Sequence, residues 1–514
     1  MPFQDLKTFI QELEKADELV RIKTEVSAEL EIAEITDRVS KEQNCKNKAL
    51  LFENVKGYEM PVLINSFGSE KRMQIALGVN SLDSIADRIS EMLNLKVPDS
   101  LFGKLSFLPK LAQIASFPPR MVSAAPCQEV VITDPSAEML DKIPILKCWP
   151  ADGGAFITLP LVFTKDPKTG IRNIGMYRLQ KYTNNSTGFH VHWHHGAAEH
   201  YQKAKNNNST DSENNSVNSI NEPERHGTKI GARFGGLRKI PVAIAIGADP
   251  ALVYAATAPL PPNIDETIFA GFLRKKPVEL VKCKTVDLEV PANAEIILEG
   301  FVDLDELAWE GPFGDHTGFY SLAGDFPVFR LTAMTHRKNP IYMTTIVGKP
   351  PQEDYYLGKA TERIFLPLLK IIMPEVLDIN LPMAGTFHNC VIVKIHKKYP
   401  GQGKKIINGV WGSGQMSLSK FVIVLDSEVN IHDLNEVAFK VFSNVDPVRD
   451  TVFTEGPLDI LDHASSLMGI GGKMGIDATR KWKGEGFERD WPNELIMTNN
   501  IKKLVDSKWS EFGL

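Results

Sequence analysis

Glu310 and Asp315 stand five residues apart in Glu310-Gly-Pro-Phe-Gly-Asp315-His-Thr-Gly-Phe-Tyr320, a run punctuated by glycine and proline. Neither residue type sits in a regular helix or strand interior without cost, so the two acids are expected on bent backbone beside a ligand. Paired carboxylates in one cleft are the usual parts for acid/base chemistry. The same run also reads as a plain surface turn whose acids hydrogen-bond their own backbone. Its flanks favour the first reading. Glu295 to Val302 and Phe326 to Met334 both read as strands, which makes the motif a loop on a β scaffold.

Three other segments carry residues able to do chemistry. Five of the twelve histidines fall between His190 and His200, and on a strand His190, His192 and His194 share one face, as ligands of a metal would. A merely polar strand explains them equally well, since no HExxH-type spacing is present. In Ile171 to Arg178, Asn173 and Arg178 stand among apolar residues, and arginine is the usual planar partner of a carboxylate or phosphate. Asn263 to Arg274 reads as a helix start with Glu266 in its first turn, where a carboxylate also serves as an ordinary dipole partner.

The whole chain narrows the setting of these groups. Its 514 residues suffice for two to four domains, and its 43% hydrophobic and 24% charged content is that of a globular protein. No apolar stretch approaches the ~18 residues that cross a bilayer, and the N-terminus does not resemble a secretory signal, so a cytoplasmic location is expected. Five dispersed cysteines, Cys45, Cys127, Cys148, Cys283 and Cys390, suggest neither a disulfide framework nor a cysteine zinc site. A net charge of -6 and a pI near 6.1 argue against a general nucleic-acid binder and for a small-molecule partner.

Amphipathic helix patterns at Phe3 to Leu13 and Leu30 to Val39 alternate with strand-like runs, which predicts an N-terminal α/β domain over residues 1–118. Strand signals dominate residues 119–325, predicting a mostly β, barrel-like domain. Residues 326–514 mix helix and strand again and read as a C-terminal α/β domain, with Lys420 at the start of the buried strand Phe421 to Leu425. Lys205 to Arg225, rich in Asn, Ser and Glu, is expected to be a mobile surface loop. Gly469 to Thr479 reads as too glycine-rich for regular structure, and the tail beyond Pro447 as a segment that packs on a neighbouring domain or subunit.

Taken in order, Ile171 to Arg178, the His194 region, Ile264 to Arg274, Glu310 to Tyr320, Lys420 to Asp426 and Gly472 to Trp482 closely resemble the UbiD family of prenylated-FMN-dependent decarboxylases. The resemblance extends over nearly the whole chain and is nearest to the branch acting on 4-hydroxy-3-polyprenylbenzoate in ubiquinone biosynthesis. It implies a central split β-barrel that binds the flavin between the two α/β domains. It also implies a divalent metal, Mn²⁺ or Mg²⁺, on Asn173, His194 and Glu266 with the cofactor phosphate. These hard, oxygen-rich ligands suit those ions better than zinc. K⁺ would be held by the carbonyls of Ala255, Ala256 and Ala258, and Lys420 would reach the cofactor phosphate.

The resemblance places the catalytic groups on Arg178, Glu310 and Asp315, with Asp315 as the proton donor. An unperturbed Asp titrates near 3.9, so holding it neutral costs a few kcal/mol, to be supplied by burial and by the like charge of Glu310. Arg178 is therefore expected to pair with Glu310 and leave Asp315 the better acid. The implied reaction is non-oxidative loss of CO₂ from an aromatic acid, with a flavin prenyltransferase supplying the cofactor. A membrane-resident polyprenyl substrate would favour peripheral contact with the inner membrane. A homo-oligomer, dimer or hexamer, is implied as well. Three rival readings stand beside it: a decarboxylase or reversible carboxylase of another aromatic or α,β-unsaturated acid, such as a menaquinone precursor or a phenolic acid, a zinc hydrolase built on the His190 to His200 cluster, and a scaffold protein without turnover.

Overall fold

The computed structural model describes residues 3, 5–42, 46–93, 117–134, 136–190, 201–204, 239–260 and 264–513. The N-terminal unit begins with the helix Leu6–Lys15, capped by the Asp5 carboxylate on the Thr8 amide and burying Leu6, Phe9, Ile10 and Leu13. It packs on a four-stranded sheet ordered Leu19–Ile22, Ala49–Phe52, Val62–Ile64 and Tyr342–Met343. The fourth strand arrives from far down the chain, so this unit and the next share a core rather than meeting across a linker.

The central unit is a nine-stranded sheet in which every recorded pairing is antiparallel. Its spine is the hairpin of Ile296–Glu310 and Gly324–His336, flanked on one side by Lys239–Ile246, Leu161–Lys165 and Arg172–Gly175, and on the other by Ser186–Gly188 and Leu179–Thr183. Register shifts at Glu299/Gly300 and Val302/Leu307 bend the hairpin, as inserted residues do. The boundary expected after residue 325 is corrected here, because it would cut Gly324–His336 away from its partner strand. Among the described residues no ladder joins the two ends of the strand order, Phe156–Ile157 and Arg172–Gly175.

The 20-residue helix Glu353–Ile372 leads into the C-terminal unit, a five-stranded sheet ordered Val376–Asn380, Cys390–Ile395, Phe421–Leu425, Ile470–Asp477 and Thr451–Pro457. The middle three strands are parallel, as the helical crossover Gln402–Trp411 between the first two requires. The glycine-rich segment expected to be irregular is the strand Ile470–Asp477, paired on both edges. Its glycines serve close packing: a Cβ at Gly475 would lie 2.3 Å from the buried Ile407 of the crossover helix. No described helix is long and apolar enough to cross a membrane. The whole Asn/Ser-rich segment Lys205 to Arg225, and His192 and His194, lie outside the described residues.

Candidate active site

Glu310 is the last residue of the strand Ile296–Glu310, and the loop after it is pinned from beneath. Gln180 accepts from the Gly311 amide and donates to the Gly153 carbonyl, both at 2.8 Å. Gly153 and Gly311 touch backbone to backbone, and a Cβ on Gly153 would come within 2.4 Å of Gly311 Cα. Gly314 lies so close to the Trp149 indole that a Cβ there would meet it at 2.1 Å. The Asp152 carboxylate accepts from the Gly314, Trp149 and Cys148 amides and ties that indole's own loop to the motif. The glycines of this motif are thus contact residues, and Gly318, at φ +82°, also supplies the left-handed turn.

That scaffold brings three of the expected groups together. Arg178 donates from Nε to Glu310 Oε1 at 3.0 Å, from one terminal nitrogen to Asp315 Oδ2, and from the other to Ser321 Oγ at 2.9 Å. Its guanidinium also lies over the Phe313 ring, 4.8 Å from the centroid. Glu310 is fully buried and receives a second contact from His190 Nδ1 at 2.7 Å, while the His190 ring stacks on Phe326. The cluster raises the nearby Tyr182 phenol to about 12, by burial and then by the charges of Glu310 and Asp325.

The expectation that Arg178 would serve Glu310 and leave Asp315 neutral is corrected. A guanidinium has five donors in a fixed fork, enough for both acids at once. Burial alone would push the Asp315 carboxyl up, but the hydrogen bond and charge of His316 and the charge of Arg178 hold it well below the usual carboxylate range. His316, in turn, is opposed by burial but carried up to about 9 by Asp315, with Asp459 and Asp354 assisting. The sequence reading quoted His316 within the motif without giving it a role, and it gave none to His388, which the fold brings to within hydrogen-bond distance of it.

A second cluster gathers part of the expected metal set. Glu266 opens the helix Glu266–Arg274, which Asp265 caps through the Thr267 amide at 2.7 Å. Glu266 Oε2 accepts from the Ile174 amide at 3.1 Å, which sets the carboxylate beside the strand that carries Asn173. Burial, with the charge of Asp265, pushes Glu266 up to about 7 against the pull of the Ile174 amide and of Arg172. A divalent cation would favour its ionised form. Asn173 Nδ2 donates to Tyr177 at 3.4 Å, which leaves its carbonyl oxygen for a ligand role. Of the histidines considered as metal ligands, His190 belongs to the acid cluster instead. Lys420 pairs with Asp462 at 2.6 Å, and Asp462 faces His388.

Comparison with known proteins follows this geometry along the chain. Residues 10–92, 120–350 and 355–478 match the family models of the 3-octaprenyl-4-hydroxybenzoate carboxy-lyase N-terminal, Rift-related and C-terminal domains. An uncharacterized protein of Archaeoglobus fulgidus is 49% identical over 512 residues, 99% of both chains. One of Aquifex aeolicus is 48% identical over 513 residues, 100% of this chain and 99% of its own. The vanillic acid decarboxylase of Sedimentibacter hydroxybenzoicus in its closed form superposes with a TM-score of 0.80 at 28% identity, covering 100% of this chain and 99% of that one. HmfF of Pelotomaculum thermopropionicum, a UbiD-class enzyme in complex with FMN, gives 0.76 at 29% identity, with 98% and 100% covered. With all three domains matched in order around the Arg178, Glu310 and Asp315 cluster, the chain belongs to the UbiD family.

Proposed function

We propose that this protein is a carboxy-lyase that uses prenylated FMN to remove CO₂ from an aromatic acid without net oxidation. The observation that carries the reading is the Arg178 fork between two buried carboxylates, Glu310 and Asp315, on the glycine-pinned loop. Support comes from relatives of nearly equal length, one solved with FMN and one named as a decarboxylase of vanillic acid.

When bound, the cofactor would supply an electrophilic ring system that stabilises the electron pair left on the ring carbon as CO₂ departs. In this reading the central sheet forms the split barrel that holds it. Asn173, His194 and Glu266 hold Mn²⁺ or Mg²⁺ together with the cofactor phosphate. The carbonyls of Ala255, Ala256 and Ala258, at the end of the helix Pro250–Ala255, hold K⁺, and Lys420 reaches the phosphate. Arg178 and Glu310 fix the charge balance around Asp315 and orient the substrate carboxylate, and Asp315 is the last carrier of the proton that replaces it. Desolvation of the loop strengthens each of these interactions.

The substrate proposed is a 4-hydroxy-3-polyprenylbenzoate of ubiquinone biosynthesis, converted to the polyprenylphenol, with peripheral membrane contact to reach it. A smaller phenolic acid is the second reading, favoured by the overlay on the vanillic acid enzyme. The test is co-expression with a flavin prenyltransferase, followed by absorbance and mass spectra of released small molecules and metal content. Prenylated FMN with manganese, and CO₂ release from one of these acids, is the expected result. A colourless protein carrying zinc would sink the reading.

A further inference from the structure

The proposed reaction needs a proton for carbon, yet the group that faces it is held as a carboxylate. Asp315 Oδ2 meets Arg178, while Oδ1 accepts from the His316 amide at 2.8 Å and contacts His316 Nδ1 at 2.9 Å. An ionised Asp315 has no proton of its own to give. The ring beside it is placed to carry one.

The His316 ring also engages a partner on its far side. Its Nε2 lies 2.6 Å from Nε2 of His388. Two facing lone pairs would repel and two facing N–H groups would clash, so a contact this short needs one proton between the rings. Charges decide which ring holds it. Asp315, Asp354 and Asp459 face His316, and Arg178 reaches it only through Asp315. His388, by contrast, is held down to about 4 by burial and by the His316 charge, against opposing pulls from Asp459, Asp315 and Asp462, and Asp462 is already paired with Lys420. His316 is therefore the imidazolium, donating from Nδ1 to Asp315 and from Nε2 to a neutral His388.

His388 reaches this point from the C-terminal sheet, on the connection between Val376–Asn380 and Cys390–Ile395. The two residues before it, Thr386 and Phe387, both adopt left-handed backbone at φ 46° and 49°. Neither is glycine, and strain at successive non-glycine positions persists where the surrounding structure enforces it, most often at functional sites. The Phe387 ring packs 5.4 Å from His316, filling the corner that the bend creates. Two units of the fold therefore converge on one shared proton.

We infer that His316 is the proton reservoir of this site, acting through Asp315, and that His388 is the positioning residue that keeps its Nδ1–H aimed at that carboxylate. This rests on the decarboxylase reading. As the bond between the ring carbon and the carboxylate breaks, CO₂ leaves and the electron pair stays with the carbon. A proton moves from His316 Nδ1 to Asp315 Oδ1 and from Asp315 to that carbon, forming the C–H bond. His316, left neutral, regains its proton from water once product departs, and nothing is oxidised or reduced.

The test uses the cofactor-loaded enzyme, kcat against pH, and ¹⁵N NMR of histidine-labelled protein. His316→Asn keeps an N–H donor toward Asp315 but carries no acidic proton. It is expected to lose kcat by about 100-fold, the usual size for a general acid, with KM and cofactor content unchanged. Wild-type kcat is expected to fall through an alkaline limb near pH 9, where the imidazolium is lost. His388→Leu removes the Nε2 acceptor and should move that limb at least one pH unit lower, while His388→Gln, which restores an acceptor, should bring it back. A His316→Asn enzyme with the wild-type profile, or a His316 ring that is neutral at pH 7.5 by NMR, would overturn the proposal. A wild type that turns over no acid while His316 stays charged would sink the decarboxylase reading and uphold the charged pair, so the two failures are distinguishable.

Discussion

Arg178 holds two acids at once, so its loss takes a cationic partner from both. Glu310 is fully buried and, among the described residues, would keep only the His190 contact, and breaking a buried ion pair from one side costs roughly 3–5 kcal/mol. Arg178→Ala is therefore expected to lower the urea midpoint by an amount of that order and to cut kcat by at least ~100-fold. Arg178→Lys, which lacks the planar fork, should recover most of the stability and little of the activity. Wild-type turnover in the lysine variant would remove the fork from the mechanism. Glu266 yields a pH prediction of the opposite sign from that of a salt-bridged acid. Its folded pKa, about 7, lies above the unfolded value of 4.5, so the folded state binds the extra proton and stability falls as pH rises between the two. A divalent cation favours the ionised form and should offset that loss. The difference in melting temperature with Mn²⁺ and with EDTA is expected to widen from pH 5 to pH 8, and a difference independent of pH would remove Glu266 from the metal set. Residue types and spacing singled out Glu310 and Asp315 as candidates, whereas Arg178 and Glu266 are weak signals alone and take their expected roles only from the family resemblance. The pairing of His316 with His388 was not legible, since 72 residues separate them and only the fold brings the rings together.

Strands were read wherever alternation or an apolar run was strong, as in Glu295 to Val302, which lies almost wholly within the bent strand Ile296–Glu310. The segment Gly469 to Thr479 departs from its expected irregularity because glycine content alone does not exclude a strand. Here the missing side chains are what allow the strand Ile470–Asp477 to lie under the helix Gln402–Trp411. The difference is testable with two alanines in one strand. Gly475→Ala would drive a methyl into the buried side chain of Ile407, and overpacking of this kind costs about 1–3 kcal/mol. Gly472→Ala places its methyl in open space, with nothing within 4 Å, and should change stability by no more than ~0.5 kcal/mol. Thermal melts of the two variants should differ by several degrees. Equal melts would show that the helix yields to the added methyl and that the glycine is not there for packing.

At the scale of the whole molecule, the change of hydrophobic period along the chain was enough to read α/β, then β, then α/β, but not to see how the units interlock. The strand Tyr342–Met343 completes the N-terminal sheet after the chain has left the central one, a return that no local pattern announces. The C-terminal tail shows the reverse case, an element legible in sequence whose partner is missing from the single chain. Leu495, Ile496 and Met497 are exposed, and the helix Asn499–Lys508 that follows buries none of its residues although it carries Ile501, Leu504 and Val505. Trp509 and Phe512 are exposed as well, and so are Phe439, Phe442, Val448 and Phe453 elsewhere in the C-terminal unit. Apolar side chains left exposed in this number are expected to be covered by a partner, and the occupant proposed is a second copy of the chain, since closed homo-oligomers are the commonest assemblies. Sedimentation of the full chain at micromolar concentration is expected to give a dimer or a larger multiple. Removing residues 493–514, or substituting Leu504→Glu with Ile501→Glu, should lower the mass toward the monomer while the visible spectrum of bound cofactor is retained. A full chain that sediments as a monomer would refute the assembly, and a truncated chain that keeps the full mass would move the interface from the tail to the exposed phenylalanines.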